Sequence, residues 1–285
     1  MEKQYHILVC CDENYIPPLR TMLYSLFMHT VEGLFTIHLI HSRISEETLE
    51  KLEAYVLRVS KGRAVLENHR IGNEFDEEKV NFYYSVEMYY RLLAFEILPK
   101  EVKKVLYIDP DTLIINSIDE LWNIDMNGNL FAAAPHKLPL VQEFNVSRLK
   151  GATSIEIDYY YNSGVLLMDL DAQRKENSKD SILEYIQKAP QVAQIMPDQD
   201  LLNVVFSKMI LPIDEKKYNY DSRRYEVYRL DNPEWDITKI MSSTVIIHFC
   251  GKKKPWNNGA IGKFVTLYRY FQNKAISEYQ LIDNK

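Results

Sequence analysis

Short apolar runs alternate with longer segments of helical periodicity along the 285-residue chain. Runs of three to five mostly apolar residues predict buried strands, and apolar residues three and four positions apart predict amphipathic helices. The predicted strands cover residues 7–11, 36–40, 64–66, 105–108, 113–115, 131–134, 165–168 and 245–247. Two predicted helices follow Pro17-Pro18 and the cap Ser45, and three others cover residues 85–98, 180–188 and 198–208. This alternation predicts an α/β fold, with a mostly parallel, twisted sheet that carries helices on both faces.

The chain contains no internal repeat, low-complexity tract or linker that divides it into two large domains. The segment after Pro255-Trp256 is separable, as a loop followed by a helix. We therefore predict one domain over residues 1–257 and a helical extension over residues 258–285. Apolar tail residues near helical spacing predict docking on the domain, and neighbouring basic residues leave weak peripheral membrane contact as the alternative. The apolar residues are Phe264, Leu267, Tyr268 and Phe271.

Charge and cysteine content narrow the class of protein. The net charge of −6 and the isoelectric point near 5.7 lack the basic excess of nucleic-acid binders, so we expect no nucleic-acid partner. The three cysteines, adjacent Cys10 and Cys11 and distant Cys250, form no disulfide framework and favour a reducing cytosol. The sequence starts without a signal-peptide pattern and has no run long enough to span a membrane. The expected location is cytoplasmic, with the inner membrane face as the place of any tail contact.

Two aspartates follow a predicted strand in the segment Asp109-Pro110-Asp111. Alternate side chains of extended backbone share a face, and proline keeps the residue before it extended, so both carboxylates can point to one place. Two converging carboxylates repel each other unless a cation lies between them. The segment therefore predicts a metal site, and a turn with solvated acids is the alternative.

A second polar segment, residues 248–256, follows the last predicted strand. His248 can complete a site with two carboxylates, and mixed imidazole–oxygen ligation favours Mn²⁺ over Mg²⁺ or Ca²⁺. Gly251 permits close approach of the backbone to a phosphate, and Lys254 can balance the charge of a diphosphate. The alternative is a structural histidine followed by a solvated lysine loop.

The first predicted strand is followed by Cys11-Asp12-Glu13-Asn14-Tyr15. Asp12 and Asn14 can hydrogen-bond to a uracil edge or to ribose hydroxyls, and Tyr15 can stack on a base. An ordinary turn with Asn14 as a helix cap is the alternative. The chain has neither G-x-G-x-x-G nor a P-loop, which argues against dinucleotide oxidoreductases and NTPases.

Further polar residues occur where a transferred group could bind. Asp198 and Gln199 begin a predicted helix, and Asn162 precedes a predicted strand. Asp198 can also be a helix N-cap, and Asn162 can belong to a turn. Arg91 lies in an apolar segment and needs an anion, which a sugar diphosphate can supply. Pairing with Glu87 one helical turn earlier is the alternative.

Six ordered segments of the chain together resemble glycosyltransferase family 8, the retaining bacterial galactosyl- and glucosyltransferase type related to glycogenin. The matching segments are residues 11–15, 89–92, 105–111, 161–167, 198–203 and 248–256. The resemblance implies a GT-A fold, with a Rossmann-like, mixed and mostly parallel sheet between helices. It also implies transfer of galactose or glucose from a UDP-sugar to a hydroxyl of a glycan or glycoconjugate acceptor.

The resemblance also assigns roles to individual residues. The implied ligands of Mn²⁺, with Mg²⁺ as the alternative ion, are Asp109, Asp111 and His248. The implied contacts to the UDP moiety are Asp12, Asn14, Tyr15, Gly251 and Lys254. The implied catalytic residues around the transferred sugar are Arg91, Asn162, Asp198 and Gln199.

One segment departs from the family pattern. Several family members have an aspartate in the sugar pocket after the strand at residues 131–134, where this chain has Pro135-His136. The departure leaves the donor and acceptor sugars open. Two other functions remain open: a UDP-sugar-binding protein of the same fold with lost or regulatory activity, and a metal-independent glycoside hydrolase with paired carboxylates. Chelator-insensitive hydrolysis of a simple glycoside distinguishes the hydrolase.

Overall fold

The computed structural model describes residues 3–72, 87–136, 139–153, 156–177, 182 and 197–283. The strands in these ranges are β1 (Gln4–Cys10), β2 (Leu34–His41), β3 (Ala64–Arg70), β4 (Lys104–Ile108), β5 (Thr112–Ile114), β6 (Phe131–Pro135), β7 (Tyr161–Asp169), β8 (Ile210–Pro212), β9 (Tyr220–Asp221) and β10 (Ile246–His248). The first half of the helices are α1 (Ile16–His29), α2 (Glu46–Val59), α3 (Glu87–Tyr90), α4 (Ala94–Ile97), α5 (Asp119–Trp122) and α6 (Pro139–Thr153). The others are α7 (Leu170–Glu176), α8 (Pro197–Phe206), α9 (Glu215–Tyr218), α10 (Tyr225–Asp231), α11 (Ile237–Ser243) and α12 (Val265–Asp283).

A seven-stranded central sheet has the order β3-β2-β1-β4-β7-β6-β8. Its neighbouring strands are parallel except at β7, which runs antiparallel to both β4 and β6. A smaller sheet has the order β5-β10-β9. Because β7 is reversed, its first residues lie at the same sheet edge as the last residues of β1 and β4. That edge is where open α/β sheets bind ligands.

The inner strands β1, β2, β4 and β7 of the central sheet are mostly buried, which explains their continuous apolar runs, whereas the edge strand β3 is largely exposed. Ile7 and Val9 of β1 pack on the face covered by α1 and α2. Leu8 of β1 packs on the opposite face with Tyr89, Leu93 and other residues of the α3–α4 segment. The predicted α/β class with a mostly parallel sheet between helices is confirmed.

The predicted helical tail is present as α12, which packs against α1 and α2. The ring of Phe271 meets Tyr24 at 6.4 Å and His29 at 5.6 Å between centroids. Arg58 of α2 contacts Glu278 at 2.7 Å. These contacts match the docking that the sequence predicts, whereas the domain boundary at residue 257 stays a prediction. Within the described ranges, no helix combines the length and apolar character that a membrane crossing requires.

Several predicted elements differ from the structure. The predicted helix over residues 85–98 is described from Glu87 onward, where a tighter 3₁₀ turn at Arg91–Leu93 separates α3 from α4. Strand β7 begins four residues earlier than predicted, and α6 was not predicted at all. The predicted helix over residues 180–188 lies outside the described residues, apart from residue 182.

Candidate active site

The turn between β4 and β5 carries two carboxylates that converge on one histidine. Asp109 directly follows β4, and Asp111 directly precedes β5. His248, the last residue of β10, places Nε2 3.7 Å from Asp109 Oδ2 and 3.2 Å from Asp111 Oδ1. Each of the three side chains offers a ligand atom, and these atoms lie within 4.8 Å of one another. The structure thus brings the three predicted metal ligands together.

The convergence has a different local cause from the predicted one. The sequence predicts extended backbone through Asp109-Pro110-Asp111, whereas Pro110 and Asp111 form a turn. Thr112 Oγ1 donates to the Asp109 carbonyl at 2.8 Å across this turn. Strand β5 then pairs antiparallel with β10, with Thr112 opposite His248. The small second sheet therefore delivers the histidine to the carboxylates.

The ring of His248 is oriented by a residue that the sequence analysis missed. His248 Nδ1 lies 2.8 Å from Oδ1 of the buried Asn219. Asn219 Nδ2 in turn donates to Asn162 Oδ1 at 2.7 Å. An amide oxygen can only accept, so Nδ1 carries a proton and Nε2 faces the carboxylates. Metal-ligating histidines use this kind of partner on the second ring nitrogen.

Positive side chains balance the two carboxylates. Arg91 Nη1 lies 3.1 Å from Asp109 Oδ1, and Lys254 Nζ pairs with Asp111 Oδ2. Burial alone raises the pKa of Asp111, but His248 and Lys254 outweigh it and hold that pKa below its ordinary value. The sequence predicts an anionic partner for Arg91, and in the structure this partner is Asp109. The side chain of Glu87, its alternative partner, lies outside the described residues.

Gly164 of β7 leaves the space in which the carboxylates and the histidine meet. Its carbonyl accepts from Asp109 N at 2.8 Å, which holds the end of β4 against the start of β7. A Cβ atom at Gly164 would lie 2.3 Å from His248 Cε1 and 2.6 Å from Asp109 Oδ2. Such separations are far below van der Waals contact, so the site requires glycine here.

A chain of amide contacts leads from this cluster to Gln199. Asn162 Nδ2 donates to Gln199 Oε1 at 3.1 Å, and Ser163 N donates to the same oxygen at 3.4 Å. Gln199 Nε2 lies 3.4 Å from His136 Nε2. Asn162 belongs to β7, and its Oδ1 also accepts from Gly164 N at 2.8 Å, a side-chain contact typical of Asx turns. His136, the residue that departs from the family pattern, is therefore a neighbour of the candidate catalytic amide.

The acids beside Gln199 have different positions. Asp200 is fully buried, accepts from both Arg148 terminal nitrogens at 2.5 and 2.9 Å, and accepts from Tyr160 Oη at 2.6 Å. This bidentate pair commits the Asp200 carboxylate to structure. Asp198 lies inside the first turn of α8, because the helix begins at Pro197. It is therefore not the N-cap, and its side chain lies outside the described residues.

The end of β1 contributes residues of mixed exposure. Asp12 Oδ1 accepts from Tyr15 N at 3.2 Å, so Asp12, rather than the predicted Asn14, caps the 3₁₀ turn Glu13–Tyr15. Both Asp12 and Asn14 are exposed. The half-buried Tyr15 meets Trp256 edge-on at 5.9 Å. Burial raises the pKa of Tyr15, and the nearby charges of Lys254, Asp111 and Asp109 also act on it. Lys254 Nζ lies 6.0 Å from the ring centroid of the same Trp256 and pairs with Asp111, so Trp256 and Lys254 link Tyr15 to the carboxylate cluster.

The φ angle of Gly251 is +84°, a backbone conformation that residues with a side chain rarely adopt. A Cβ atom there would lie 2.6 Å from Arg223 Nη1. Arg223 pairs with the buried Asp221 at 2.7 Å and was not predicted. Its sequence neighbourhood, residues 219–224, contains no pattern that distinguishes it from an ordinary charged loop.

The donor set of the cluster fits a divalent cation. Two carboxylates and one imidazole provide the mixed oxygen and nitrogen ligation that suits Mn²⁺. The ligand atoms are already close together, and Asn219 fixes the histidine ring. The cluster also lies at the ligand-binding edge of an open α/β sheet.

Comparison with known proteins identifies the class of this molecule. The sequence profile of glycosyl transferase family 8 matches residues 6–260. The chain belongs to this family and is a glycosyltransferase. The glycoside hydrolase alternative is therefore wrong.

Several individual proteins are similar to this chain. The chain is 25% identical to general stress protein A of Bacillus subtilis, over 98% of this chain and 96% of that protein. It is 32% identical to lipopolysaccharide 1,2-glucosyltransferase of Escherichia coli K12, over 65% of this chain and 54% of that protein. The solved structure of galactosyltransferase LgtC with donor and acceptor sugar analogues is similar, with a TM-score of 0.76. It is 22% identical and covers 94% of this chain and 95% of its own, which confirms the GT-A fold.

Proposed function

We propose that this glycosyltransferase moves galactose or glucose from a UDP-sugar to a hydroxyl of a glycan or glycoconjugate acceptor, with retention of configuration and dependence on Mn²⁺. The observation that carries the proposal is the convergence of Asp109, Asp111 and His248 at the ligand-binding sheet edge. The similarity to a glucosyltransferase and to a galactosyltransferase supports a hexose donor. Cytoplasmic location and tail contact with the inner membrane face stay predictions.

In this proposal Asp109, Asp111 and His248 hold the cation, which neutralises negative charge on the leaving diphosphate when bound. Mg²⁺ is the alternative ion. Lys254 and Gly251 lie on the loop after β10 and contact the phosphates. Lys254 Nζ already donates to Asp111 Oδ2 and, at 3.1 Å, to the Phe249 carbonyl. A preorganised positive charge there stabilises the departing UDP without rearrangement.

Asp12, Asn14 and Tyr15 bind the uridine in this proposal. Tyr15 is the best placed of the three, because its ring meets Trp256, and Lys254 Nζ lies 6.0 Å from the centroid of that same indole. Its aromatic face can stack on the base. The exposed side chains of Asp12 and Asn14 remain available to ribose hydroxyls or to the uracil edge.

Gln199, Asn162, Asp198 and Arg91 surround the transferred sugar in this proposal. The amide of Gln199 is neutral and weakly basic, so it positions the sugar rather than attacks it. Asp200 is fully buried in its pair with Arg148, which argues against a nucleophilic role. We therefore favour front-face attack by the acceptor hydroxyl, with the departing phosphate accepting its proton. Trapping of a stable glycosyl adduct on Asp198 or Asp200 would overturn this mechanism.

Replacement of Gln199 by alanine is expected to slow transfer about 10- to 100-fold while UDP still binds, because the side chain acts by positioning. Steady-state kinetics measures the first effect and calorimetric UDP titration the second. Gln280→Ala, on the exposed side of α12, is the control and leaves both unchanged. Loss of UDP binding in Gln199→Ala would assign this residue to nucleotide binding instead.

Replacement of Asn219 by alanine is expected to weaken Mn²⁺ binding about 10- to 100-fold, because the ring of His248 loses its oriented partner. Asn219→Asp keeps an acceptor oxygen 2.8 Å from His248 Nδ1 and should retain more affinity. Titration of Mn²⁺ followed by electron paramagnetic resonance measures both. Equal affinity in wild type and Asn219→Ala would remove Asn219 from the site.

The test of the proposed function is a panel of UDP-sugars with Mn²⁺, scored for UDP release and for transfer to glycan acceptors. Asp109→Ala, which lacks one of the three proposed metal ligands, is the control. Release of UDP from UDP-galactose or UDP-glucose, lost with chelator and with Asp109→Ala, supports the proposal. A protein that binds UDP-sugar with Mn²⁺ but transfers nothing supports the regulatory alternative. Failure to bind UDP at all contradicts both.

A further inference from the structure

A second cluster of metal-ligating side chains lies on the central sheet, outside the candidate active site. The cluster lies beside β3, the outermost strand on one side of the sheet. Its members share one sheet face and are His6 of β1, His38 of β2, and Glu67 and His69 of β3. The strand pairing places Glu67 opposite His38 and His69 opposite Ile40. Three strands thus bring three imidazoles and one carboxylate together. The proposed transfer reaction uses none of them.

The separations between the donor atoms suit a tetrahedral cation. His38 Nδ1 lies 3.1 Å from His69 Nε2 and 3.2 Å from Glu67 Oε2. All three ligand atoms lie within 4.8 Å of one another. A tetrahedral zinc site with metal–ligand bonds of about 2.0 to 2.1 Å has ligand atoms about 3.3 Å apart. Two of the separations therefore need to open by only a few tenths of an ångström.

The other nitrogen of His38 already has the partner that a metal-ligating histidine needs. His38 Nε2 lies 3.0 Å from His6 Nδ1, and the two rings stack at 5.3 Å between centroids. With a proton on His38 Nε2 and an acceptor at His6 Nδ1, the lone pair of His38 Nδ1 faces His69 and Glu67. A partner on the second nitrogen fixes the tautomer and orientation of a ligating ring.

A hydrogen-bond network alone explains this geometry less completely. One proton between His38 Nδ1, His69 Nε2 and Glu67 Oε2 can join only two of these atoms, whereas one cation contacts all three. His38 is fully buried, and the Glu67 side chain is 47% exposed. The site is therefore built into the sheet on one side and reachable from solvent on the other.

We propose that His38, His69 and Glu67 form a zinc site across β2 and the edge strand β3, with His6 as the supporting partner of His38. Two imidazoles and one carboxylate are a ligand set that Zn²⁺ accepts, with a fourth position open to water. The ion joins the edge strand β3 to β2 and stabilises the native state by binding it selectively. This proposal is independent of the sugar-transfer chemistry.

The test uses the full chain with Asp109→Ala, which removes one candidate active-site ligand and keeps the buried Asp111 in its contacts with His248 and Lys254. Calorimetric titration with Zn²⁺ should show one bound equivalent, and Co²⁺ should give the visible absorption of a tetrahedral site. In this background Glu67→Gln should weaken Zn²⁺ binding at least about tenfold, and His69→Ala should weaken it further. Zn²⁺ should also raise Tm only where the three ligands are intact.

The matched control is His29→Ala in the same background, because His29 lies on α1 and contacts the Ser25 carbonyl. It should leave Zn²⁺ affinity unchanged. Glu67→Gln keeps the shape of an exposed side chain and serves if His69→Ala fails to fold. Absence of a bound equivalent overturns the zinc site. Equal affinity in Glu67→Gln and His29→Ala also overturns it, since the ion then binds elsewhere.

Discussion

Replacement of Asp111 by asparagine is expected to lower the rate of sugar transfer at least about a thousandfold. Loss of one preorganised electrostatic contact already costs about 100- to 1,000-fold in other enzymes. Asp111 contacts both His248 and Lys254, so its charge organises two other groups of the proposed site. Initial rates of UDP-sugar turnover with saturating Mn²⁺ measure the loss.

The same change leaves His248 and Lys254 without their buried counter-charge. Removal of one member of a buried ion pair costs about 3 to 5 kcal/mol, so stability must be measured beside activity. Asp109→Asn is the second variant, because the Asp109 side chain is 21% exposed and its loss disturbs folding less. Asp125→Asn, at an exposed turn, is the control for loss of charge. A folded Asp111→Asn protein that transfers sugar within tenfold of wild type would contradict the proposed metal site.

Replacement of Gly164 by alanine is expected to lower transfer about 100-fold, because one methyl group separates the proposed metal ligands. The new Cβ would lie 2.3 Å from His248 Cε1 and 2.6 Å from Asp109 Oδ2, so at least one of these side chains must move. A displacement of about 1 Å in a reactive geometry costs about 100-fold. Overpacking also destabilises the fold by about 1 to 3 kcal/mol. Mn²⁺ titration, kinetics and thermal unfolding measure the three effects.

Gly151→Ala is the matched control for this change. Gly151 lies in α6, and a Cβ atom built there meets nothing within 4 Å. Alanine in a helix is up to about 1 kcal/mol more favourable than glycine, so this variant should be slightly more stable and equally active. Wild-type Mn²⁺ affinity in Gly164→Ala would show that the cluster tolerates the methyl group and would weaken its assignment as the metal site.

The elements that the sequence predicts well have strong periodic patterns of their own. Ser45 accepts from Thr48 N at 3.3 Å and caps α2 as predicted, because capping depends on neighbouring residues alone. Helix α6 has a weaker apolar stripe: among its described side chains, Leu149 lies in a buried cluster and Val146 packs against it. The prediction misses the start of β7 because the polar triplet Asn162-Ser163-Gly164 interrupts the apolar run by which buried strands are predicted.

The sequence predicts the proposed metal ligands, because they lie at the ends of apolar strands. It does not predict the contacts that other side chains make with the site. Asp109, Asp111 and His248 follow or end apolar runs, which marks the ligand-binding edge of an α/β sheet. Asn219 and Arg223 occur in segments without a strong local pattern, whereas His136 follows a predicted strand but has no local signal for its contact with Gln199. Their contacts depend on which strands become neighbours, and a single sequence does not contain that information.

The sequence by itself determined the α/β class, the strand ends that carry carboxylates and a histidine, and the resemblance to family 8. These features depend on the local order of apolar and polar residues, which periodicity records directly. Only the tertiary structure decided that β5 pairs with β10, that β7 is reversed beside β4, and that Gly164 leaves space between Asp109 and His248. The pairing of distant strands is set by the packing of the whole core, so the geometry of the site emerges only in the folded chain.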